Sequence, residues 1–307
     1  MNSYKFSVIV PVIYLTKYSR KAIQDIFTKI DSFPHILFIF SCTESVVGEL
    51  NAISLKHGAK ENTIIAPSKA VDSNNLRHNG IKHAKTNYVF YQDCDDEVDY
   101  QVVLDNFSHC TGDNIVCFNI RRRLFDIDGN VIDDRLLYPN KNYEIKNISS
   151  LMTNIVNKLI PKKMLEKVCF YNIPFSQDQS ISFQLFERCP HWYCSRSAYL
   201  YENNCKSTAG LNKTKRESLL RVVAIERILM KILLNKSNRA YVKYRYQLLI
   251  QGRFAYLNEC YFPSFSLGAI NPLRFGLRGS INHLYHYSMA YISCGRILIC
   301  KYLKRRN

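Results

Sequence analysis

The chain has 307 residues, of which 47% are hydrophobic and 22% charged, a balance that indicates a globular protein and excludes a disordered one. The net charge of +17 is concentrated: residues 211–307 hold 18 Lys and Arg against 3 Asp and Glu, so residues 1–210 have a net charge of only +2. The 11 cysteines are odd in number and form no Cys-x-x-Cys pair, which disfavours a disulfide scaffold and favours a reduced, cytoplasmic protein.

The first hundred residues alternate short apolar runs with segments of helical periodicity. Strands are predicted at 6–10, 35–40, 62–66 and 88–91. Helices are predicted between them, at 19–30, 46–57 and 74–84. This alternation predicts an α/β fold with a mostly parallel sheet covered by helices on both faces. Ligands bind to such sheets at the carboxyl ends of the strands.

The pattern changes after residue 100. Apolar runs at 114–122 and 130–137 flank Asp126-Ile-Asp-Gly129, a turn sequence that predicts a β-hairpin. A calcium loop is disfavoured because its other ligands are missing. The remaining elements are predicted as an amphipathic helix at 149–168 interrupted by a proline, a helix at 177–186 and a strand at 192–201. From residue 213 onward the chain is predicted to form basic helices rich in aromatic residues.

Three carboxylates follow the fourth predicted strand, in the sequence Asp93-Cys94-Asp95-Asp96. Carboxylates crowded at the end of an apolar strand are unfavourable unless a cation neutralises them. Mg²⁺ or Mn²⁺ does so when it bridges carboxylate and diphosphate oxygens, and it then stabilises a leaving nucleoside diphosphate as a Lewis acid. The alternative is that these acids, with Glu97 and Asp99, cap the next helix and face water.

Four segments together resemble the family 2 GT-A glycosyltransferases. They are a helix containing Arg77-His-Asn-Gly-Ile81, the strand ending in Asp-x-Asp-Asp, the opening strand at 6–11, and an acceptor-side block at 157–160 with 175–183. The resemblance covers roughly residues 5–210. It implies a GT-A fold whose catalytic domain, 1–210, has a Rossmann-like nucleotide-sugar-binding half at 1–100 and an acceptor-binding half at 101–210, followed by a helical extension at 211–307.

The same resemblance implies the reaction and the residues that perform it. The expected reaction is an inverting transfer of a sugar from a nucleotide-sugar donor to a hydroxyl of a bacterial surface glycan, such as capsule or lipopolysaccharide. Asp95 and Asp93 are expected to bind Mn²⁺ or Mg²⁺, and Asp178 to deprotonate the acceptor hydroxyl; helix capping beside Ser176 is the alternative for Asp178. The nucleotide-sugar site is expected to contain Pro11, Ile13, Arg77, Asp93 and Asp96.

The sequence departs from the family pattern at several positions. The second strand lacks the acid that reads the nucleotide base, and Ser41 and Glu44 are the two candidate substitutes. His78 stands where the family has Asn, and Gln177 replaces the Glu of the acid pair. The residues at 199–208 contain no counterpart of the late His metal ligand.

The segment 211–307 interleaves basic residues with aromatic and aliphatic ones, and its longest apolar stretch, 289–300, is too short to cross a bilayer. Basic helices of this kind bind anionic lipid, each cation contributing about 1 kcal/mol. We expect a peripheral protein at the cytoplasmic face of the cell membrane, acting on a lipid-linked acceptor, with no nucleic-acid partner. The alternatives are a solvated basic face, an RNA-binding protein, and a non-catalytic homologue that binds a glycan or a partner enzyme.

Overall fold

The computed structural model describes residues 4–58, 60–126, 130–138, 141–145, 154–168, 170, 181–182, 184–185 and 189–203. All of them belong to a compact unit that contains residues 1–172 and 177–212. Asp178, the basic segment 211–307 and the predicted domain boundary at residue 210 lie outside the described residues. The expectations about them therefore stay predictions.

Ten strands in the described part of the chain form one mixed sheet. They are β1 (Phe6–Val12), β2 (Ile36–Thr43), β3 (Thr63–Ser68), β4 (Tyr88–Tyr91), β5 (Glu97–Val98), β6 (Ile115–Phe125), β7 (Val131–Leu136), β8 (Tyr143–Ile145), β9 (Lys158–Pro161) and β10 (His191–Asn203). Their order is β3-β2-β1-β4-β9-β6-β10-β5, with β7 beside β6 and β8 beside β10.

Five α-helices accompany the sheet within the described ranges: α1 (Lys17–Lys29), α2 (Val47–Lys56), α3 (Ser73–His83), α4 (Tyr100–Asp105) and α5 (Lys162–Leu165). Side-chain caps explain where three of them begin. The Thr16 side chain accepts a hydrogen bond from the Ser19 backbone, Asp72 from that of Asn75, and Asp99 from that of Val102. No helix in this part of the chain is both long and apolar enough to span a membrane.

The N-terminal half of the sheet has the predicted parallel α/β architecture. β1 pairs in parallel with β2 on one side and with β4 on the other, and β2 pairs in parallel with β3. All residues of β1 and β2 are buried, as expected for central strands covered on both faces. β1 continues through Pro11, two residues beyond its predicted end, because a proline near a strand end gives up only one ladder hydrogen bond.

The C-terminal half combines both strand directions. β6 and β10 pair in parallel along His191–Asn203, whereas β9 runs antiparallel to β4 and β6, and β7 runs antiparallel to β6, so the mostly parallel sheet is confirmed only in part. The helix predicted at 149–168 is wrong at Lys158–Pro161, which forms the buried strand β9, but Lys162–Leu165, directly after the interrupting proline, is the helix α5. A short apolar run has no periodicity that separates a buried strand from a buried helix. The predicted hairpin is confirmed as β6 and β7.

Helix α3 lies against β1, and Gly80 allows the close approach. A Cβ atom at this position would lie 3.2 Å from Cδ1 and 3.3 Å from Cγ1 of Ile9, and closer still to Cγ2. Leu76 and Ile81 of the same helix are buried beside this contact face. The packing of α3 on β1 therefore sets the position of Arg77, which α3 carries to the carboxyl edge of the sheet.

Candidate functional site

The carboxyl ends of β1, β2 and β4 meet at one edge of the sheet. Pro11 of β1 pairs with Ser41 of β2, and the backbone N–H of Gln92, just after β4, donates to the carbonyl of Ile9 over 3.1 Å. Asp93 therefore emerges beside the end of β1. The structure thus brings the predicted residues of the first strand and the predicted acids to the same edge, where parallel sheets bind ligands.

The three acids lie on a tight turn, residues 93–96, which we call the acid turn. The backbone N–H of Asp96 donates to the carbonyl of Asp93 over 3.2 Å. The side chain of Asp95 is exposed at the tip, that of Asp93 is 38% exposed, and Asp96 is buried with 3% of its surface accessible. The helix-capping alternative applies to Asp99 alone of these residues, because Asp99 is the residue that caps α4.

Arg77 of α3 pairs with the first acid. Its Nη2 donates to Oδ1 of Asp93 over 2.7 Å, and only 6% of the arginine side chain is exposed. The guanidinium also donates to Oδ1 of Asn74 over 3.4 Å within the same helix. A buried arginine held by a carboxylate at a ligand-binding edge is suited to partner a phosphate. The structure thus brings together Arg77 and Asp93, two of the predicted site residues.

Asp96 belongs to a buried polar network that the sequence did not reveal. The Tyr199 hydroxyl of β10 donates to Oδ2 of Asp96 over 2.7 Å and accepts from the backbone N–H of Asp93 over 3.1 Å. Gln92 donates to the carbonyl of Asp96 over 2.9 Å and accepts from the Tyr100 hydroxyl. Burial, reinforced by the Asp96 carboxylate, raises the pKa of Tyr199 well above its usual value, so the hydroxyl stays protonated and able to donate.

Asp95 has a carboxylate whose pKa is raised. Although the side chain is accessible to solvent, the protein packed around it is the main factor that raises its pKa to about 6. The neighbouring Asp93 adds charge repulsion, and a backbone hydrogen bond partly opposes both effects. A carboxylate that is costly to ionise in the protein alone is stabilised by a cation placed against it. The oxygen ligands of Asp95 and Asp93 suit Mg²⁺ or Mn²⁺.

The turn does not form a complete metal cage by itself. In the ranges that the structure describes, no group of three or more His, Cys, Asp or Glu side chains is arranged to hold a metal ion. Mg²⁺ sites with one or two protein carboxylates take their remaining oxygens from water and substrate phosphates. The residues present therefore fit a cation that binds together with a diphosphate.

The two candidates for reading the nucleotide base differ in accessibility. Ser41 is fully buried, and its hydroxyl accepts a hydrogen bond from the Asn79 side chain over 3.1 Å, which ties α3 to β2. Glu44 is exposed directly after β2. Between them, Thr43 donates to the carbonyl of Ile13 over 2.7 Å and joins the ends of β1 and β2. Glu44 is thus the candidate whose side chain is accessible to a ligand.

The sequence matches no protein-family model and no curated protein. The structure, however, is similar to crystal structures of residues 1–349 of TarS from S. aureus. The free form has a TM-score of 0.57 at 14% identity, covering 93% of this chain and 80% of the TarS chain. The complex with UDP-GlcNAc has a TM-score of 0.61 at 14% identity, covering 93% and 81%. The complex with UDP has a TM-score of 0.56 at 13% identity, covering 95% and 91%.

Identities this low establish a likeness of fold alone. The α/β architecture predicted from the sequence is present in the described residues. The chain thus shares the fold of TarS residues 1–349 and has an acid turn at the carboxyl edge of its sheet.

Proposed function

We propose that this protein is a metal-dependent glycosyltransferase of family 2 type, which transfers a sugar from a nucleoside-diphosphate sugar to a glycan hydroxyl with inversion. The observation that carries the proposal is the acid turn. Asp95, whose pKa is raised, stands accessible beside the Asp93–Arg77 pair at the carboxyl edge of the sheet. The fold is shared with TarS, which has been crystallised with UDP-GlcNAc, so UDP-GlcNAc is the first donor to test.

Each predicted site residue is assigned one role in binding or catalysis. Asp95 and Asp93 would hold Mn²⁺ or Mg²⁺, which supplies Lewis-acid stabilisation of the leaving diphosphate. Arg77 adds a fixed positive charge beside the same diphosphate. Asp96 lies next to these groups and is assigned to the orientation of the donor sugar, while Pro11 and Ile13 are assigned to the binding of the nucleotide. Asp178 is assigned as the base that removes the acceptor proton on the face opposite the leaving group, which inverts the anomeric centre.

The test is a panel of nucleoside-diphosphate sugars incubated with the purified chain and Mn²⁺, with release of the nucleoside diphosphate as the readout. We expect one donor to be hydrolysed slowly without an acceptor, and the reaction to stop in excess chelator. The matched variant is Asp95→Asn, which keeps the size of the side chain and removes its charge. Turnover that persists in chelator or in this variant contradicts the metal assignment. Binding of a donor without any turnover favours the non-catalytic homologue.

We further propose that the acceptor is lipid-linked and that residues 211–307 hold the protein on an anionic membrane surface. The support is the net charge of +15 in this segment, interleaved with aromatic and aliphatic residues. The full chain should sediment with anionic vesicles at low salt and be released at high salt, because the screening length falls from about 10 Å at 0.1 M to about 3 Å at 1 M. Deletion of residues 296–307 should weaken vesicle binding more than donor hydrolysis. A full chain that ignores anionic vesicles at low salt overturns the membrane proposal.

A further inference from the structure

We infer that Tyr199 is the positioning residue of the acid turn, which it holds in the geometry that binds the metal and the diphosphate before either arrives. This inference rests on the proposed function. Tyr199 is fully internal, with 1% of its surface accessible, so it acts through the residues of the turn and not by contact with the donor. Its role is distinct from those of Asp93, Asp95 and Asp96, which the sequence already indicated.

One hydroxyl joins the two ends of the turn. It accepts from the backbone of Asp93 and donates to the carboxylate of Asp96, so a single oxygen atom spans the segment that presents Asp95. Hydrogen bonds to an ionised carboxylate are about twice as strong as those between neutral groups. The remaining freedom of the turn is reduced by the hydrogen bond from the backbone of Asp96 to the carbonyl of Asp93. The turn that carries Asp95 is therefore held by a backbone hydrogen bond and by the two hydrogen bonds of the Tyr199 hydroxyl.

An irregularity in β10 directs Tyr199 toward the turn. Cys194 lies opposite Phe118 of β6 and Tyr199 lies opposite Ile120, so five steps along β10 match two steps along β6. In a regular strand, residues five apart point to opposite faces of the sheet. The extra residues of β10 place Tyr199 on the same face as Cys194, and bulges of this kind re-aim side chains next to active sites.

Asn119 of β6 stabilises this irregular stretch. Its side chain is completely buried, and Nδ2 donates to the carbonyl of Ser195, a β10 residue with no paired partner in β6, over 3.1 Å. Its Oδ1 accepts from the backbone N–H of Tyr138 over 3.2 Å. The Asn119 side chain thus supplies a hydrogen bond to a β10 residue that the β6–β10 pairing skips.

β10 also holds the backbone that leaves the turn. Tyr199 pairs with Val98 of the short strand β5, and the backbone N–H of Asp99 donates to the carbonyl of Ala198 over 3.0 Å. The acid turn therefore has β4 before it and a strand anchored on β10 after it. A turn anchored in this way loses little conformational freedom when the metal and the diphosphate bind, which is the basis of preorganisation.

The test compares Tyr199→Phe with Tyr91→Phe. Tyr91 is the matched control because its hydroxyl is equally buried, lies on β4 close to the turn, and has no hydrogen-bond partner in the described part of the chain. We expect Tyr199→Phe to raise the Mn²⁺ concentration for half-maximal turnover, and the KM for the donor, by about 10- to 100-fold. The control should stay within about twofold of the wild type. In a double-variant cycle with Asp96→Asn, the two losses should be strongly non-additive.

Equal metal and donor requirements in the two tyrosine variants overturn the inference and leave the proposed function standing. So does a Tyr199→Phe variant that loses kcat alone, with its metal dependence unchanged. A wild-type protein that binds no nucleoside-diphosphate sugar overturns the proposed function first, and the inference with it. If Tyr199→Phe does not fold, amide hydrogen exchange in the wild type decides: a protected Asp93 amide supports the inference, and one that exchanges like an exposed peptide contradicts it.

Discussion

The substitution Gly80→Ala tests the packing that places Arg77 in the site. The added methyl group would meet three side-chain atoms of Ile9 on β1, one of them at 3.2 Å, another at 3.3 Å and the third nearer. Overpacking of this kind costs about 1–3 kcal/mol. Replacement of glycine by alanine inside a helix gains about 1 kcal/mol, which offsets part of that loss. The matched control is Gly48→Ala in α2, where a Cβ atom has no neighbour within 4 Å.

The difference between the two variants reports mainly the overpacking, because both replace a helical glycine by alanine and only Gly80 faces a neighbouring side chain. We expect Gly80→Ala to unfold about 2–12 °C below Gly48→Ala, given about 2–4 °C per kcal/mol in a domain of this size. The assay is thermal unfolding followed by circular dichroism, with Ile9→Ala added to both backgrounds. Ile9→Ala should be less harmful in the Gly80→Ala background, since it removes the three atoms in conflict. Identical melting temperatures of the two alanine variants, or additive effects of Ile9→Ala, would refute this account of the α3–β1 contact.

Three further predictions concern single ionisable groups. Asp95→Asn should abolish metal-dependent donor binding and yet raise the free energy of unfolding at pH 7, by at most about 1 kcal/mol because the side chain is exposed. Since the pKa of Asp95 is raised to about 6, this gain should shrink as pH falls from 6 to 4, as denaturant titrations at several pH values will test. Asp178→Asn should leave donor affinity nearly unchanged and reduce turnover by about 10² to 10⁴. If calorimetry shows that donor binding is lost together with turnover, Asp178 belongs to the donor side of the site. Burial, with a contribution from the Lys158 cation, lowers the pKa of His191 to about 3. The contribution of the neutral His191 side chain to the free energy of unfolding is therefore fully present above pH 6.5 and is lost as pH falls towards 3. His191→Gln should flatten the pH dependence of unfolding in this range, and an unchanged slope would contradict the assignment.

The sequence predicted the first four strands and the three helices between them because local patterns specify them. The predicted bounds of β4 are the observed ones, since Tyr88–Tyr91 is a short apolar run that ends just before polar residues and acids. α3 has a polar cap at Asp72 and apolar residues at helical spacing. Parallel pairing then brings Pro11, Asp93 and the other strand ends to one edge without any further information. The position of the acid turn followed from the same reasoning.

The remaining features depend on contacts between distant segments. Tyr199 meets the acid turn across more than 100 residues, and its orientation depends on an irregularity of β10 that has no local sequence signature. The strand β9 was mistaken for a helix because its burial between β4 and β6 comes from tertiary packing. The one available signal for Tyr199 was a tyrosine within a predicted apolar strand, which more often indicates core packing. The structure at Tyr199 and at β9 is determined by pairing between distant strands and not by local propensity.

The most direct test of the central claim is the equilibrium binding of a nucleoside-diphosphate sugar, measured by calorimetry with the wild-type chain and Asp95→Asn. UDP-GlcNAc is the first ligand, and the titration is performed with Mn²⁺ and with excess chelator. The account predicts saturable binding of one such donor by the wild type with Mn²⁺, and at least about tenfold weaker binding in chelator or after Asp95→Asn, a difference of about 1.4 kcal/mol. Equal affinity under all of these conditions, or no binding of any nucleoside-diphosphate sugar, would contradict it.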